Sequence, residues 1–411
     1  MGRTELMAAH PALADTVPAT DQVPADPVLT DTEGGPSLLQ ADLTGPGLRR
    51  RRCGRGFRYI TADGKPVTDA HTLARIKALV IPPAWEDVWI CPQPRGHIQA
   101  VGTDAAGRRQ YLYHQLWRER RDRQKFDRVM EFGRALPRVR AVVERHLQDK
   151  GLTRDRVLAS AVRLIDLGFF RPGGEEYAAE NGSFGLATIR REHVTCGKCE
   201  LSFEYTGKSG VHREQAVADE QVCAVVRSLK RRRSGGTEDL LVYRSGPRWH
   251  NVTAADINDY LRDTAGGDYT AKDFRTWHAT VLAAVGLAVS EAAATGSAAA
   301  RKRAVARVVK EVSGYLGNTP AVARASYIDP RVIAMYEEGT TIAPMLADLG
   351  KGQEFGDVAT NGHAERAVLK MLTGSGKVQR RPPRTGLPAG TTEVARGPPH
   401  GVITRAVRRT G

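Results

Sequence analysis

The feature that most restricts how this chain folds is a change of hydrophobic period along its length. Between Phe57 and Tyr113, apolar residues fall in short β-type runs, Phe57 to Thr61, Val88 to Cys91 and His97 to Val101, divided by Gly and Pro turns. Beyond Met130 they recur at helical spacing: Val139, Val142, Val143 and Leu147 mark one helix, and Val157, Leu158, Ala161, Val162 and Ile165 the next. A pattern of period two suits a pleated face and one of period 3.6 suits a helix face. The expectation is therefore an α+β chain: a small, mainly β N-terminal domain with one helix near Asp69 to Leu79, then a larger, mainly helical domain.

Charge indicates the partner. The chain has 411 residues, enough for two domains, and a net charge of +15. Up to Gly47 it carries one basic residue, Arg3, against seven acids, a net of −6 that leaves +21 on the remainder. A positive field of that size favours a polyanion, most simply nucleic acid, through phosphate neutralisation and counterion release. Residues 1 to 47 show no sustained periodicity and are expected to be disordered, as is the basic Arg/Pro/Gly-rich tail after Gly374. The first residues lack an apolar signal core and no apolar run is long enough to span a bilayer, so a cytoplasmic location is expected, with no membrane partner. Five cysteines, odd in number and sparse, fit a reducing compartment. Cys196 and Cys199 have metal-ligand spacing, but without a second such pair or a spaced His pair they read as two cysteines of a β-turn, and no metal site or cofactor is expected.

Several stretches carry chemistry. Val305, Val308, Val309, Val312 and Leu316 form a helical stripe that Gly317 ends; Thr319-Pro320 and Asp329-Pro330 then each pair an N-cap with a first-turn proline. Tyr327 thus stands at a helix junction, where its phenol either faces a partner or bonds backbone. Arg171 follows Phe169-Phe170 and precedes Pro172-Gly173-Gly174 on a rigid turn, serving either chemistry or carbonyl capping. Alternation in Leu201, Phe203 and Tyr205 gives a strand leading to a hairpin tip at Gly207-Lys208-Ser209-Gly210, where a lysine is commonly mere solvation. A helix from Thr270 to about Ala294 has Lys272 and Arg275 in its first turns, against the helix dipole, which asks for a compensating anion. The segment from Gly107 interleaves Arg108, Arg109 and Gln110 with Tyr111 and Tyr113, suited to phosphates and bases or else to a solvated strand. A basic helical stretch, Gln115 to about Val129, follows it.

Taken in order, FFRPGGEEY, TGKSG, KDFRTW and LGNTPAVARASY resemble the type IB DNA topoisomerases of the compact bacterial and poxvirus-like branch. With IPPAW and GRRQYLY, the resemblance spans roughly Arg50 to Leu349. It implies an N-terminal β domain over 48–120 and a catalytic domain with a small hairpin region over 121–350, closing as a C-shaped clamp on duplex DNA. It also implies a helix remnant and basic tail over 351–411. Tyr327 matches the nucleophile that forms a 3′-phosphotyrosyl link. Arg171 and Arg275 match the arginines on the scissile phosphate, Lys208 the general acid for the 5′ oxygen, and Lys272 its helper. Gln110, Tyr111 and Tyr113, with Arg108 and Arg109 beside them, match the DNA-contacting strand. The implied enzyme is a monomer that uses neither ATP nor metal and acts at the nucleoid.

The residue types suit the chemistry. Guanidinium groups hold the equatorial oxygens of a phosphodiester under in-line attack, and a poor alkoxide leaving group calls for an acid. This sequence departs from the poxvirus pattern twice: Asn318 stands where those enzymes carry histidine, with His278 a possible substitute, and Pro172-Gly173-Gly174 follows Arg171. A tyrosine recombinase shares the arginine, lysine and tyrosine chemistry but usually places its second arginine in a His-x-x-Arg order, the reverse of Arg275 and His278 here. A DNA-binding protein of impaired activity is the other reading, through Asn318.

Overall fold

A computed structural model describes residues 37–174, 182–232, 238–291, 297–346, 362–374 and 404–405. Two compact units divide between Lys125 and Phe126. The first contains strands β1 (Leu48–Cys53) and β2 (Gly56–Ile60), helix α1 (Ala70–Ala78), and strands β3 (Glu86–Ile90), β4 (Ile98–Thr103) and β5 (Arg109–Tyr113). They form an antiparallel sheet in the order β2-β1-β3-β4-β5. Because successive side chains point to opposite faces, Val88 and Ile90 join Leu48, Ile76, Trp85 and Ala100 in one cluster while Trp89 and Cys91 join Ile98 and Val101 in another. Asp69 caps α1 by accepting the Thr72 N–H at 2.7 Å. The four-arginine run lies within β1, where Arg50 stacks on Phe57 and donates to the carbonyls of Ile81, Pro82 and Trp85.

The expectation of disorder up to Gly47 needs correction for its last part. Leu38 is buried, and the backbone of Leu39 exchanges hydrogen bonds with Arg95 and His97, so residues 37–47 lie along the sheet because apolar Leu38 has somewhere to go. Residues 1–36 lie outside the described residues.

The second unit opens within α2 (Gln115–Leu147), one helix that joins the basic stretch to the Val139 stripe and passes through Pro137. It continues with α3 (Arg154–Gly168), the hairpin sheet β6 (Val194–Cys196), β7 (Glu200–Thr206) and β8 (His212–Ala218), and α4 (Glu220–Arg231). Then come β9 (Val242–Ser245), β10 (Arg248–Asn251), α5 (Ala254–Ala265) and α6 (Ala271–Glu291). The chain goes on through α7 (Ala298–Leu316), α8 (Pro320–Ser326), α9 (Pro330–Glu337), α10 (Ala343–Leu346) and α11 (Gly362–Leu372). Helix α3 ends at Gly168 as expected, although the left-handed residue is Phe169 (φ 57°); Gly168 itself is required because a Cβ there would lie 2.3 Å from the Phe170 ring. Cys196 and Cys199 flank the turn from β6 to β7, closed by the Gly197 N–H to Glu200 O bond.

Helix α6 is buried on nearly every side, with Phe274, Trp277 and Val281 in the core. Helix α11 packs into that same core through Ala364, Val368 and Met371, so the helical unit extends past the expected end at 350. A buried ionic cluster ties these helices together. Arg140 binds Asp166 (2.8 and 3.0 Å) and Glu365 (2.6 and 2.9 Å), and Trp277 Nε1 donates to Glu365 at 3.1 Å. Of the basic tail, only Thr404–Arg405 lie among the described residues; they pair with β8 as a short strand, β11, rather than standing free. Among the described residues no helix is long and apolar enough to cross a membrane.

Candidate active site

Four chain segments deliver the candidate residues. Gly317, at φ 60°, ends α7 in a left-handed turn closed by Gly317 N–H to Gly314 O (3.1 Å) and Asn318 N–H to Ser313 O (3.0 Å). That turn fixes Asn318. Thr319 then caps α8 with Pro320 in its first turn, and the helix lasts only to Ser326, leaving Tyr327 at its C-terminal cap. Ile328 is wholly buried and anchors the junction. Asp329, also buried, caps α9 and accepts from Arg331.

A hydroxyl on α6 holds this junction. Thr280 Oγ1 shares its one proton between Thr276 O (2.9 Å) and, more weakly, Tyr327 O (3.3 Å), and accepts the buried Asp329 N–H at 3.1 Å. The nucleophile candidate is thereby tied to the helix that carries Arg275.

The sequence expectations for Arg171, Arg275, Lys272, Asn318 and Tyr327 meet in space. Arg171 Nη2 donates to Asn318 Oδ1 at 2.5 Å. The Pro-Gly-Gly step does not turn this arginine away: Gly173 (φ 81°) packs on Gly185, and Leu186 and Ala187 bond the carbonyls of Arg171 and Pro172. Arg275, 2% exposed, donates to the carbonyls of Phe169 and Leu316, and its Cζ lies 5.5 Å from the centre of the Tyr327 ring. The dipole-opposing arginine on α6 is thus partly compensated by the exposed carbonyl ends of α3 and α7. Arg275 Nε and Asn318 Nδ2 are buried without a hydrogen-bond partner among the described residues, two donors that a phosphate oxygen can satisfy.

The electrostatics converge on the phenol. Burial alone would raise the Tyr327 phenol, but Arg275, Arg171 and Lys272 outweigh it and hold the group below its ordinary value. Burial and the nearby Arg171 push the Arg275 guanidinium down to about 9, against the pull of Tyr327, and it stays charged at neutral pH. Burial likewise lowers Arg171, with Tyr327 opposing the shift.

Two expectations fare differently. Lys208 is exposed on a single 3-10 turn at the tip of the β7–β8 hairpin, and the cations acting most strongly on Tyr327 are Arg275, Arg171 and Lys272. His278 is corrected outright as a substitute for the missing histidine. It is fully buried against Phe169 and Phe274, with Nε2 3.0 Å from Asp166 Oδ1, because one turn beyond Arg275 on a core helix faces the interior.

In the first unit, Arg108 pairs with Asp104 at 2.9 Å, and Gln110 is buried with its amide on Asp104 at 3.0 Å. Tyr111 and Tyr113 stack with ring centres 6.1 Å apart, and Arg109 lies 5.9 Å over Tyr111. Gln110 therefore faces inward in this state, on the opposite side of the strand from its neighbours.

Sequence reasoning missed Thr280 and Arg213. Arg213 is 6% exposed on β8, directly across from Tyr205, with its charge beside Arg171 and Arg275. Its signal was legible: Arg213, Gln215 and Val217 share one phase of a strand paired to the inward Leu201, Phe203 and Tyr205, which puts a guanidinium inside. Thr280 carried no signal beyond a polar residue in an apolar helix.

The chain is similar to known proteins. A model of the eukaryotic DNA topoisomerase I catalytic core matches residues 114–343, more than half of the chain, and one of the bacterial DNA topoisomerase IB N-terminal domain matches residues 56–104. DNA topoisomerase 1B of Acanthamoeba polyphaga mimivirus is 27% identical over 297 residues, covering 71% of this chain and 88% of that protein. DNA topoisomerase 1B of Vaccinia virus (strain Copenhagen) is 20% identical over 240 residues, 58% of this chain and 72% of that one. DNA topoisomerase 1 of Candidozyma auris is 30% identical over 161 residues, 39% of this chain and 20% of that protein.

Proposed function

Since the chain belongs to the type IB DNA topoisomerase family, we propose that Tyr327 is its nucleophile and that Arg171, Arg275, Asn318, Lys272 and Lys208 complete the site. The enzyme is an isomerase that relaxes supercoiled duplex DNA: it cuts one strand, lets the duplex rotate and reseals it without ATP. Tyr327 Oη gives up its proton to solvent, and the phenolate attacks the scissile phosphorus, forming a P–O bond as the bond to the 5′ oxygen breaks. The departing oxygen takes a proton from Lys208 and leaves as a 5′-hydroxyl, while the DNA end remains as a 3′-phosphotyrosyl ester. Religation is the reverse, and because the ester conserves the energy of the original bond, no other source is needed.

Arg171 and Arg275 receive the charge that develops on the equatorial oxygens, assisted by the Asn318 amide. Their fixed positions mean that little reorganisation accompanies attack. Lys272 favours the phenolate. On the first unit, Arg108, Arg109, Tyr111 and Tyr113 are assigned to the DNA backbone, with Gln110 joining once its bond to Asp104 is exchanged. The enzyme acts as a monomer in the cytoplasm, at the nucleoid; its N-terminal domain takes in residues 37–47 and runs to Lys125, and its catalytic domain runs on to α11.

The observation that carries this reading is the convergence of Arg171, Arg275 and Asn318 beside Tyr327, with Arg171 Nη2 on Asn318 Oδ1 at 2.5 Å, Arg275 Cζ 5.5 Å from the Tyr327 ring centre, and Arg275 Nε and Asn318 Nδ2 buried without a partner among the described residues. It also supports an active enzyme over an impaired one. Tyr327→Phe should abolish relaxation of supercoiled plasmid and leave no covalent protein–DNA band on a denaturing gel, while salt-sensitive DNA binding persists. A relaxing Tyr327→Phe enzyme would remove the assignment.

A further inference from the structure

We infer that Arg213 is a positioning residue for proton donation: it docks the Lys208 hairpin onto the end of α7 and so aims the lysine at the leaving oxygen. The inference rests on the reading of Lys208 as general acid. Lys208 is solvent-exposed on a hairpin tip, and a lysine on a flexible stem needs its platform held still to donate at one atom. The structure gives that platform a clamp. The Arg213 stem lies against Gly207, immediately before Lys208, where an added Cβ would sit 3.0 Å from Arg213 Cγ. The other end of the same side chain lies against Gly317, immediately before Asn318, where an added Cβ would sit 2.1 Å from Arg213 Nη1. Nη2 also donates to Tyr315 O at 3.3 Å.

One arginine therefore spans from the residue preceding the proposed acid to the residue preceding a proposed phosphate ligand, and both neighbours are glycines. A buried polar chain braces it. Tyr205, opposite Arg213 in the β7–β8 ladder and in contact with its guanidinium, donates to Gln215 Oε1 at 2.7 Å, and Gln215 Nε2 donates to Gly168 O at the end of α3. The chain links the three segments that bear Arg171, Lys208 and Asn318. Simple solvation does not explain a nearly buried arginine beside two other guanidiniums, since like charges this close are costly unless the contacts are used.

The test uses the full-length enzyme and two suicide duplexes that share one mapped cleavage site, one with the ordinary 5′ bridging oxygen and one with sulfur in its place. A thiolate departs without a proton, so a defect confined to the acid disappears on the sulfur substrate. Lys208→Ala, slow on oxygen and near wild type on sulfur, tests the acid assignment by itself. Arg213→Met should form covalent adduct about 10- to 100-fold more slowly on oxygen and within about threefold of wild type on sulfur. Arg213→Lys, which keeps the charge but not the fork, should fail to restore the oxygen rate. Tyr205→Phe should show the same pattern in milder form, which covers the case in which Arg213→Met folds poorly. Equal slowing of Arg213→Met and Tyr205→Phe on both substrates, full activity of Arg213→Met on oxygen, or restoration by Arg213→Lys would each overturn the inference. Failure of sulfur to rescue Lys208→Ala would instead unseat the acid.

Discussion

Removing one hydroxyl from a helix core should disable cleavage, and the size of the effect can be worked from the geometry. Thr280→Val keeps the branched shape but deletes the oxygen that accepts the Asp329 N–H at 3.1 Å and donates to Tyr327 O at 3.3 Å. The Asp329 N–H is buried, and leaving it unpaired costs about 1–3 kcal/mol. The bond to Tyr327 O is long and adds little. The methyl that replaces the hydroxyl must also stand about 3.5–4.0 Å from its neighbours, so the junction from Tyr327 to Asp329 is pushed off α6 by several tenths of an ångström. Because a misplacement of about 1 Å can cost about 100-fold, single-turnover formation of the covalent adduct should slow by about 10- to 100-fold. The same preparation should lose about 1–3 kcal/mol in urea unfolding, with DNA affinity unchanged. Thr280→Ser, which keeps the oxygen, should recover most of the rate. Wild-type cleavage by Thr280→Val, or a Thr280→Ser enzyme as slow as Thr280→Val, would show that this hydroxyl does not hold Tyr327, the proposed nucleophile, in place.

The electrostatics and the core make their own predictions. Lys272→Met removes a positive charge that helps hold the Tyr327 phenol down, so the phenol should rise toward its ordinary value and the rising limb of cleavage rate against pH should move to higher pH; an unmoved limb would exclude Lys272 from that role. Arg140→Met leaves the Asp166 and Glu365 carboxylates buried without their guanidinium, and should destabilise the protein by about 3–5 kcal/mol at pH 8. In the wild type, burial pushes the Asp166 carboxyl up, but Arg140 and the adjacent His278 override it and hold the group well below the usual range. That stability is complete above the unfolded carboxyl value of about 3.9 and is lost only at pH well below it. In the variant Asp166 keeps only His278 beside it and Glu365 only the Trp277 N–H, so the burial of the two carboxylates is less well offset; protonation relieves part of that cost, and the gap to wild type in chemical denaturation should narrow from pH 8 to pH 5. A gap that stays constant would mean that the carboxylates are not the source of the cost.

Much of this protein is written in local chemistry, and the reason is that the signals concerned act over a few residues. The Gly317 turn, the Thr319 and Asp329 caps, and the strand and helix periods depend on neighbours three or four positions away, and these were read directly. The motif residues Arg171, Lys208, Lys272, Arg275, Asn318 and Tyr327 likewise stand in short stretches with a recognisable order. What the tertiary structure alone decided is direction and company. His278 and Arg275 share a helix one turn apart, yet one faces Asp166 in the core and the other faces Tyr327, a distinction that depends on which helices pack on each side. Thr280, Arg213 and Arg140 each reach a partner far along the chain, 47, 102 and 225 positions away, and no periodicity records such pairings. Order along the backbone determines which groups this chain can offer to a phosphate; only the packing of the segment after α3 against α6 and the α8–α9 junction brings the charges of Arg171, Lys272 and Arg275 within range of one phenol, because electrostatic and hydrogen-bond energies depend on distance in space.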